Sequence, residues 1–151
     1  MPWTARTHRL RLGRHSQAGG IYLITITCQQ RQPAFTTLGQ GRCFVRAIRT
    51  VSNQADTLCY VVMPDHVHWL MQLRPGNDLC EVVRKAKSLT TRRWRRLRPD
   101  AGGLWQSGFH DRALRKDEDL AAAARYIIAN PLRAGLTGSV RDYSLWDALW
   151  L

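Results

Sequence analysis

The fold of this chain is decided by residues 58–73, LCYVVMPDHVHWLMQL. Two apolar runs, 58–63 and 66–73, flank the turn pair Pro64-Asp65, and this pattern predicts a β-hairpin. The second run begins with two of the five histidines of the chain, His66 and His68. Because side chains of a strand alternate between its faces, both imidazoles should project from the same side of the sheet.

The sequence on either side supplies the other elements of a small α+β domain. Strands are predicted at 21–28 and 104–114, and helices at 41–55, at 78–97 capped by Asn77 or Asp78, and from the acidic residues 117–119 to just before Asn130-Pro131. The order predicts a ferredoxin-like β-α-β-β-α-β fold, an antiparallel sheet with helices on one face. An added C-terminal helix carries Tyr126. In this fold the first and third strands are central.

Length and composition favour one domain spanning 1–151, with a basic N-terminal arm at 1–20 and a C-terminal tail at 132–151. The Trp-rich end of the tail could form a dimer contact, a cover over the site, or a strand at the sheet edge. The four cysteines are widely spaced, which indicates free thiols in a reducing compartment such as the cytoplasm. No apolar run predicts a membrane span, and the N-terminus lacks the apolar region of a secretory signal.

The charge of the chain favours a nucleic-acid partner. Lys and Arg number 23 against 11 acidic residues, a formal net charge of +12. Arginine suits phosphate oxygens and stacks on bases. The alternative is a merely soluble surface encoded by a GC-rich genome. The candidate DNA-binding residues are Arg6, Arg9, Arg11 and Arg14 in the arm and Arg92, Arg93, Trp94, Arg95 and Arg96 in the second helix. Trp94 could stack on a base or pack its helix onto the sheet.

The histidine pair has two interpretations. Side chains two residues apart lie about 7 Å apart along a strand, so His66 and His68 could share a cation if the strand bends. They could equally be a partly exposed pair at a hairpin end. Asn130 is a candidate third ligand, four residues after Tyr126 on the same helix face. Such a nitrogen and oxygen site suits Mg²⁺ or Mn²⁺ bound to a phosphate. Alternatively, Tyr126 is a rim tyrosine and Asn130 an ordinary helix-end residue. His110 and Trp105 are expected to be structural.

Four segments together resemble the REP-associated tyrosine transposases, a branch of the single-tyrosine HUH transposases. They are RLRLGRHSQAGGIYLITITCQQRQPAF (9–35), MPDHVHWL (63–70), WQSGFHDRALR (105–115) and ARYIIANPLRAGL (124–136). The resemblance spans about residues 6–146. The chain departs from it at Arg112, where many members have histidine.

The resemblance implies a function and a set of roles. Tyr126 would cleave single-stranded DNA and form a 5′-phosphotyrosine, with a divalent metal, Mg or Mn, held by His66, His68 and Asn130. The target would be a palindromic repeat folded as a hairpin, and the protein a nucleoid-associated monomer or homodimer. The alternative is a hairpin DNA- or RNA-binding protein without catalysis. A hydrolase of small phosphoesters is disfavoured, because carboxylate ligands are missing and the chain is strongly positive.

Overall fold

The predicted hairpin forms the middle of a five-stranded antiparallel sheet in the computed structural model, which describes residues 19–115, 120–136 and 146–148. The strands are β1 (Ile21–Thr27), β2 (Ala55–Val62), β3 (His66–Leu73), β4 (His110–Ala113) and β5 (Trp146–Ala148). Their order across the sheet is β4-β1-β3-β2-β5, and each neighbouring pair is antiparallel. The first and third strands are therefore central, as the ferredoxin-like prediction requires.

Helices cover the two faces of this sheet unequally. They are α1 (Leu38–Thr50), α2 (Leu79–Leu97), α3 (Leu120–Ile128) and the short α4 (Asn130–Arg133). The first two pack together on one face, whereas α3 packs over β2 on the other. The α+β fold class, an antiparallel sheet with paired helices on one face, is confirmed. Tyr126 lies on α3, which packs on the other face.

Several predicted boundaries were wrong for local reasons. Helix α1 begins at Leu38 rather than 41, because Thr37 and Gln40 form a reciprocal capping box. It ends at Thr50, and Ala55 belongs to β2 instead. Asp78 rather than Asn77 caps α2 through the backbone N–H of Glu81 at 3.0 Å.

The fourth strand is much shorter than the predicted 104–114. Trp105 makes only an isolated bridge to Cys28, and the chain then turns through Gly108, whose φ is +75°. The paired strand begins at His110.

The face beneath α1 and α2 holds the main hydrophobic core. On β1 and β3 every second residue points into it: Tyr22, Ile24, Ile26, Val67, Trp69, Met71 and Leu73 are all buried. The two helices add Phe44, Ile48, Val82 and Val83. Each such apolar side chain contributes roughly 1.5–3 kcal/mol through its burial, so this layer supplies most of the stability.

The opposite face carries a smaller cluster and is only partly covered. Ala124, Ile127 and Ile128 of α3 pack over Cys59, Val61 and Leu70. At the end of the sheet where β3 begins, His66 and His68 on this face remain half-buried. The incompletely covered end of the sheet is thus where the histidines lie.

Some sequence predictions fall outside the described residues. These are the arm arginines Arg6, Arg9, Arg11 and Arg14, the acidic residues 117–119, and most of the tail. Of the three predictions for the tail, a strand at the sheet edge is the one observed, because β5 pairs with β2. In the described ranges, each helix is too short or too polar to cross a membrane.

Candidate active site

The two histidines of β3 lie side by side on the partly covered face of the sheet. Their ring centroids are 4.8 Å apart and the ring planes meet at 80°. This separation is shorter than the strand repeat of about 7 Å between alternate residues, because the rings lean toward each other. Two imidazoles this close can bind one cation between them.

One ring nitrogen of each histidine is engaged by a neighbour. The Nδ1 atom of His66 lies 2.7 Å from Oδ1 of Asp65, and Nδ1 of His68 lies 3.0 Å from Oγ1 of Thr25. Thr25 is the residue that pairs directly with His68 across β1 and β3. Metal-binding histidines commonly use one nitrogen for such an outer contact and the other for the metal. For His66, whose Nδ1 faces a carboxylate, this pattern makes Nε2 the atom suited to bind a cation.

The carboxylate of Asp65 lies between the guanidinium of Arg31 and the imidazole of His66. Partial burial raises the pKa of its carboxyl, but the hydrogen bonds and charges of His66 and Arg31 outweigh that effect and hold the pKa below its ordinary value. Asp65 is therefore an anion at neutral pH. From the sequence, Asp65 was predicted only as half of a turn, although an acid directly before His66 was the signal that could have found it.

Tyr126 lies on the same side of the sheet as the histidines. Its helix, α3, packs through Ala124, Ile127 and Ile128 onto the residues of β2 and β3 that share a face with His68. The tyrosine side chain points away from that contact and is 66% exposed. An exposed phenol on the histidine face is the placement that a nucleophile acting on a bound macromolecule requires.

Asn130 belongs to a separate short helix. The prediction placed Tyr126 and Asn130 on one helix, but α3 ends at Ile128 and Asn130 is the first residue of α4. The cause is Pro131, which has no N–H to donate to the previous turn. Ala129 keeps helical backbone angles and donates to the carbonyl of Arg125 at 3.1 Å, so the interruption is small. Asn130 is half-buried one helical turn after the tyrosine.

Carboxylate and thiolate ligands do not gather here. Within the described ranges, no three His, Cys, Asp or Glu side chains are grouped to hold a metal ion. The donors that fit a divalent cation are two neutral imidazoles, with the Asn130 amide as the third protein candidate. This set leaves coordination positions for phosphate oxygens and water, which suits Mg²⁺ or Mn²⁺ better than a closed zinc site.

His110 is exposed on the histidine face rather than built into the core. It pairs with Thr25 from the β4 side, while His68 pairs with Thr25 from the β3 side. The three residues form one row across the sheet. The expectation that His110 is structural therefore has no support, whereas Trp105 does pack structurally: its ring lies against Phe35 and its N–H donates to the carbonyl of Lys87 at 3.1 Å.

The arginine cluster of α2 lies on the opposite side of the sheet. Arg92, Arg95 and Arg96 are exposed and Arg93 is half-buried. Trp94 is 0% exposed, and its indole N–H donates to the carbonyl of Ala34 at 2.9 Å. Of the two alternatives for Trp94, packing of its helix onto the sheet is the one observed, and the buried indole is not exposed to stack on a base.

The loop that accepts the hydrogen bond of Trp94 is also bonded to the turn that precedes the histidine strand. The backbone N–H of Phe35, next to Ala34, donates to the carbonyl of Pro64 at 3.0 Å, just before the histidine strand. The arginine cluster thus lies at the same end of the sheet as His66, although on the other face.

Comparison with known proteins places this geometry in context. Residues 17–130 match the family described as "Transposase IS200 like". A Haemophilus influenzae protein assigned to the REP-associated tyrosine transposases is 31% identical over 142 residues, covering 83% of this chain and 77% of its own. The REP-associated tyrosine transposase of Escherichia coli K12 is 27% identical over 133 residues, and the match covers 83% of this chain and 74% of the relative.

Solved structures agree in fold. The structure of a REP-associated tyrosine transposase bound to a REP hairpin superposes with a TM-score of 0.72 at 26% identity, covering 88% of this chain and 79% of that one. A Deinococcus radiodurans transposase structure gives a TM-score of 0.55 at 22% identity. The match covers 78% of this chain and 95% of that one, and it supports the fold alone.

Proposed function

The chain belongs to the IS200-like transposases, among the REP-associated tyrosine transposases, and on this premise we propose that it is a metal-dependent single-stranded DNA endonuclease and strand transferase. Its substrate is the hairpin of a palindromic repeat, as the hairpin-bound relative suggests. With such a substrate, the protein would act at the bacterial nucleoid. The observation that carries the proposal is the shared side of the sheet: the paired imidazoles and the helix α3, which carries the exposed Tyr126, lie on the same side.

Tyr126 is the nucleophile in this proposal. Its oxygen attacks the phosphorus of a DNA phosphodiester and forms a new P–O bond, while the bond from phosphorus to the 3′ oxygen breaks. The phenol loses its proton and the departing oxygen gains one, which leaves a free 3′-hydroxyl and a 5′-phosphotyrosine. The reaction is a transesterification, because one phosphate ester bond replaces another. A second 3′-hydroxyl can therefore attack the phosphotyrosine and rejoin the DNA without ATP.

The phenol needs help at neutral pH, because a tyrosine hydroxyl with a pKa of about 10 is a weak nucleophile. His66, His68 and Asn130 would hold a divalent cation, Mg or Mn, which supplies positive charge at the scissile phosphate. The three side chains are neutral donors and do not reduce that charge. The packing of α3 on the sheet limits where the Tyr126 hydroxyl can approach the phosphate.

Arginines bind the DNA backbone in this proposal. The exposed guanidinium groups of Arg92, Arg95 and Arg96, with the half-buried Arg93 and the arm arginines Arg6, Arg9, Arg11 and Arg14, would neutralise phosphates. Contacts of this kind position the nucleic acid without reading its sequence.

The proposal is tested by trapping the covalent product. The protein is incubated with Mn²⁺ and an end-labelled single-stranded hairpin oligonucleotide, and the products are separated on a denaturing gel. A protein-linked band is expected, and it should disappear with Tyr126→Phe and with EDTA. The matched control is Tyr60→Phe, which removes the hydroxyl of a tyrosine on β2 and should leave the band intact. Hairpin binding without any covalent band would instead support a binding protein without catalysis.

A further inference from the structure

Asp65 bridges Arg31 and His66 at the start of the histidine strand. We propose that Asp65, held by Arg31, is a positioning residue that fixes His66 in the tautomer with its proton on Nδ1, so that Nε2 is presented to the cation. This inference rests on the proposed function, because it assumes that the histidine pair binds a divalent metal.

Each oxygen of the Asp65 carboxylate has its own partner. Oδ1 lies 2.7 Å from Nδ1 of His66, while Oδ2 accepts from Nε of Arg31 at 3.2 Å and lies 3.1 Å from its terminal nitrogen. An ionised carboxylate only accepts hydrogen bonds, so the hydrogen at the His66 contact must belong to the imidazole. With Nδ1 protonated, the lone pair of a neutral ring is on Nε2.

The turn that carries Arg31 is built at a conformational cost. Gln30 and Arg31 have φ values of +54° and +53°, in the left-handed region that residues other than glycine seldom occupy. Two backbone hydrogen bonds tie this loop to the Pro64-Asp65 turn: Cys28 N–H to the Asp65 carbonyl at 2.9 Å and Phe35 N–H to the Pro64 carbonyl at 3.0 Å. The strained turn therefore delivers a guanidinium to the carboxylate that orients His66.

The two histidines differ in the group behind them. His66 is backed by a carboxylate, whereas His68 is backed by the neutral hydroxyl of Thr25. A carboxylate behind an imidazole orients the ring and makes its other nitrogen a better metal donor. Asp65 thus acts on the metal through His66, which makes it a positioning residue.

The first test measures Mn²⁺ binding to the full-length protein by electron paramagnetic resonance, without DNA. Asp65→Ala should weaken Mn²⁺ binding by about 10- to 100-fold, the usual range for loss of such an outer partner. Asp65→Asn should weaken it less, because the amide oxygen still accepts from Nδ1. Asp56→Ala is the matched control. Asp56 lies on β2 and forms an exposed ion pair with Arg74, so its replacement should leave Mn²⁺ affinity unchanged.

The second test reads the tautomer directly in metal-free protein. Long-range ¹H–¹⁵N correlation spectra at about pH 8, above the ordinary pKa of imidazole, distinguish a protonated Nδ1 from a protonated Nε2. His66 should be in the Nδ1-protonated form in the parent protein and in Asp65→Asn, and should become a mixture in Asp65→Ala. A role limited to loop stability would not move this signature.

The outcomes separate this inference from the proposed function. If His66→Ala abolishes Mn²⁺ binding but Asp65→Ala changes neither the affinity nor the tautomer, the positioning role is overturned and the metal site stands. If Mn²⁺ binding is absent, or is unchanged in His66→Ala and His68→Ala, the metal-dependent function fails and the inference with it. Weakened binding in Asp65→Ala together with the tautomer mixture supports both.

Discussion

The two faces of the sheet show how one strand serves two purposes. On the helix-covered face, β3 contributes Val67, Trp69 and Met71, all fully buried beneath two long helices. On the other face the same strand contributes His66 and His68, which one short helix leaves half-buried. The first face provides stability and the second provides chemical groups that a substrate can reach. Substitutions on the two faces should therefore have separable effects.

The largest expected effect is loss of stability on the helix-covered face. Trp94→Ala removes a fully buried indole and its hydrogen bond to Ala34, and should lower the free energy of unfolding by about 3–5 kcal/mol. Urea denaturation followed by circular dichroism measures this. Arg95→Ala, at an exposed position next to it, should change stability by less than about 0.5 kcal/mol. Equal losses for both variants would contradict the packing assigned to Trp94.

On the histidine face, function should be lost with little loss of stability. His66→Ala and His68→Ala should each reduce covalent DNA adduct formation by more than about 100-fold, since a direct ligand matters more than an outer contact. Their unfolding transitions should move far less than that of Trp94→Ala, because neither ring is in the main core. The gel assay and the denaturation curve together decide this, and a normal adduct yield in both variants would remove the metal-ligand assignment.

A smaller effect is expected at Thr25, which lies beside His68 on the histidine face. Thr25→Val keeps the branched shape for the strand but removes the hydroxyl that lies 3.0 Å from Nδ1 of His68. Mn²⁺ affinity should fall by about 10-fold, the low end for an outer contact, because the lost partner is neutral. Thr25→Ser retains the hydroxyl and should restore most of the affinity. Equal affinities for the valine and serine variants would show that this hydrogen bond does not orient the ring.

Arginines on the helix-covered side allow a finer test of whether DNA reaches both faces. Removing one phosphate contact, for example with Arg92→Ala, should reduce the slope of log affinity against log salt by about 1. Fluorescence anisotropy with a hairpin oligonucleotide measures the slope. An unchanged slope for Arg92→Ala, Arg95→Ala and Arg96→Ala would confine DNA to the histidine face.

The smallest effect concerns two buried thiols on opposite faces. Burial, with a lesser contribution from the charge of Asp65, raises the pKa of Cys28 to about 12, so this thiol stays protonated and unreactive at neutral pH. Cys59 is equally buried, but it is covered by the short helix α3 and its sulfur lies 3.9 Å from the carbonyl of Ala124. Alkylation followed by mass spectrometry should modify Cys59 faster than Cys28, because opening α3 alone exposes it. Faster modification of Cys28 would show that α3 is the better-anchored cover.

Local pattern was enough to predict most of the fold. The alternation in β1 and β3, the turn at Pro64-Asp65 and the apolar stripe of α2 each depend on neighbours in sequence, so strand order and the common face of His66 and His68 followed from them. The end of α3 before Asn130-Pro131 is also local and was predicted to within one residue, whereas the capping by Thr37 and Gln40 at the start of α1 was missed. The fold class and the central position of β3 are confirmed.

The surroundings of the site were not predictable in this way. Thr25 meets His68 only because β1 and β3 pair in one register, across a separation of 43 residues. Arg31 meets Asp65 only because two consecutive residues adopt positive φ. Trp94 could be read from the sequence as either exposed or buried, since a tryptophan among arginines suits both.

The sequence by itself determined which side chains are candidates for the chemistry and which of them share a strand or a helix, because the periods of strands and helices are local properties. The tertiary structure decided the rest. It set α3 and its tyrosine on the histidine side of the sheet and put the arginines of α2 on the other. It also placed the guanidinium of Arg31 against Asp65 and the hydroxyl of Thr25 behind His68. These relations depend on strand register and on the burial of apolar surface between distant segments, which no short stretch of sequence encodes.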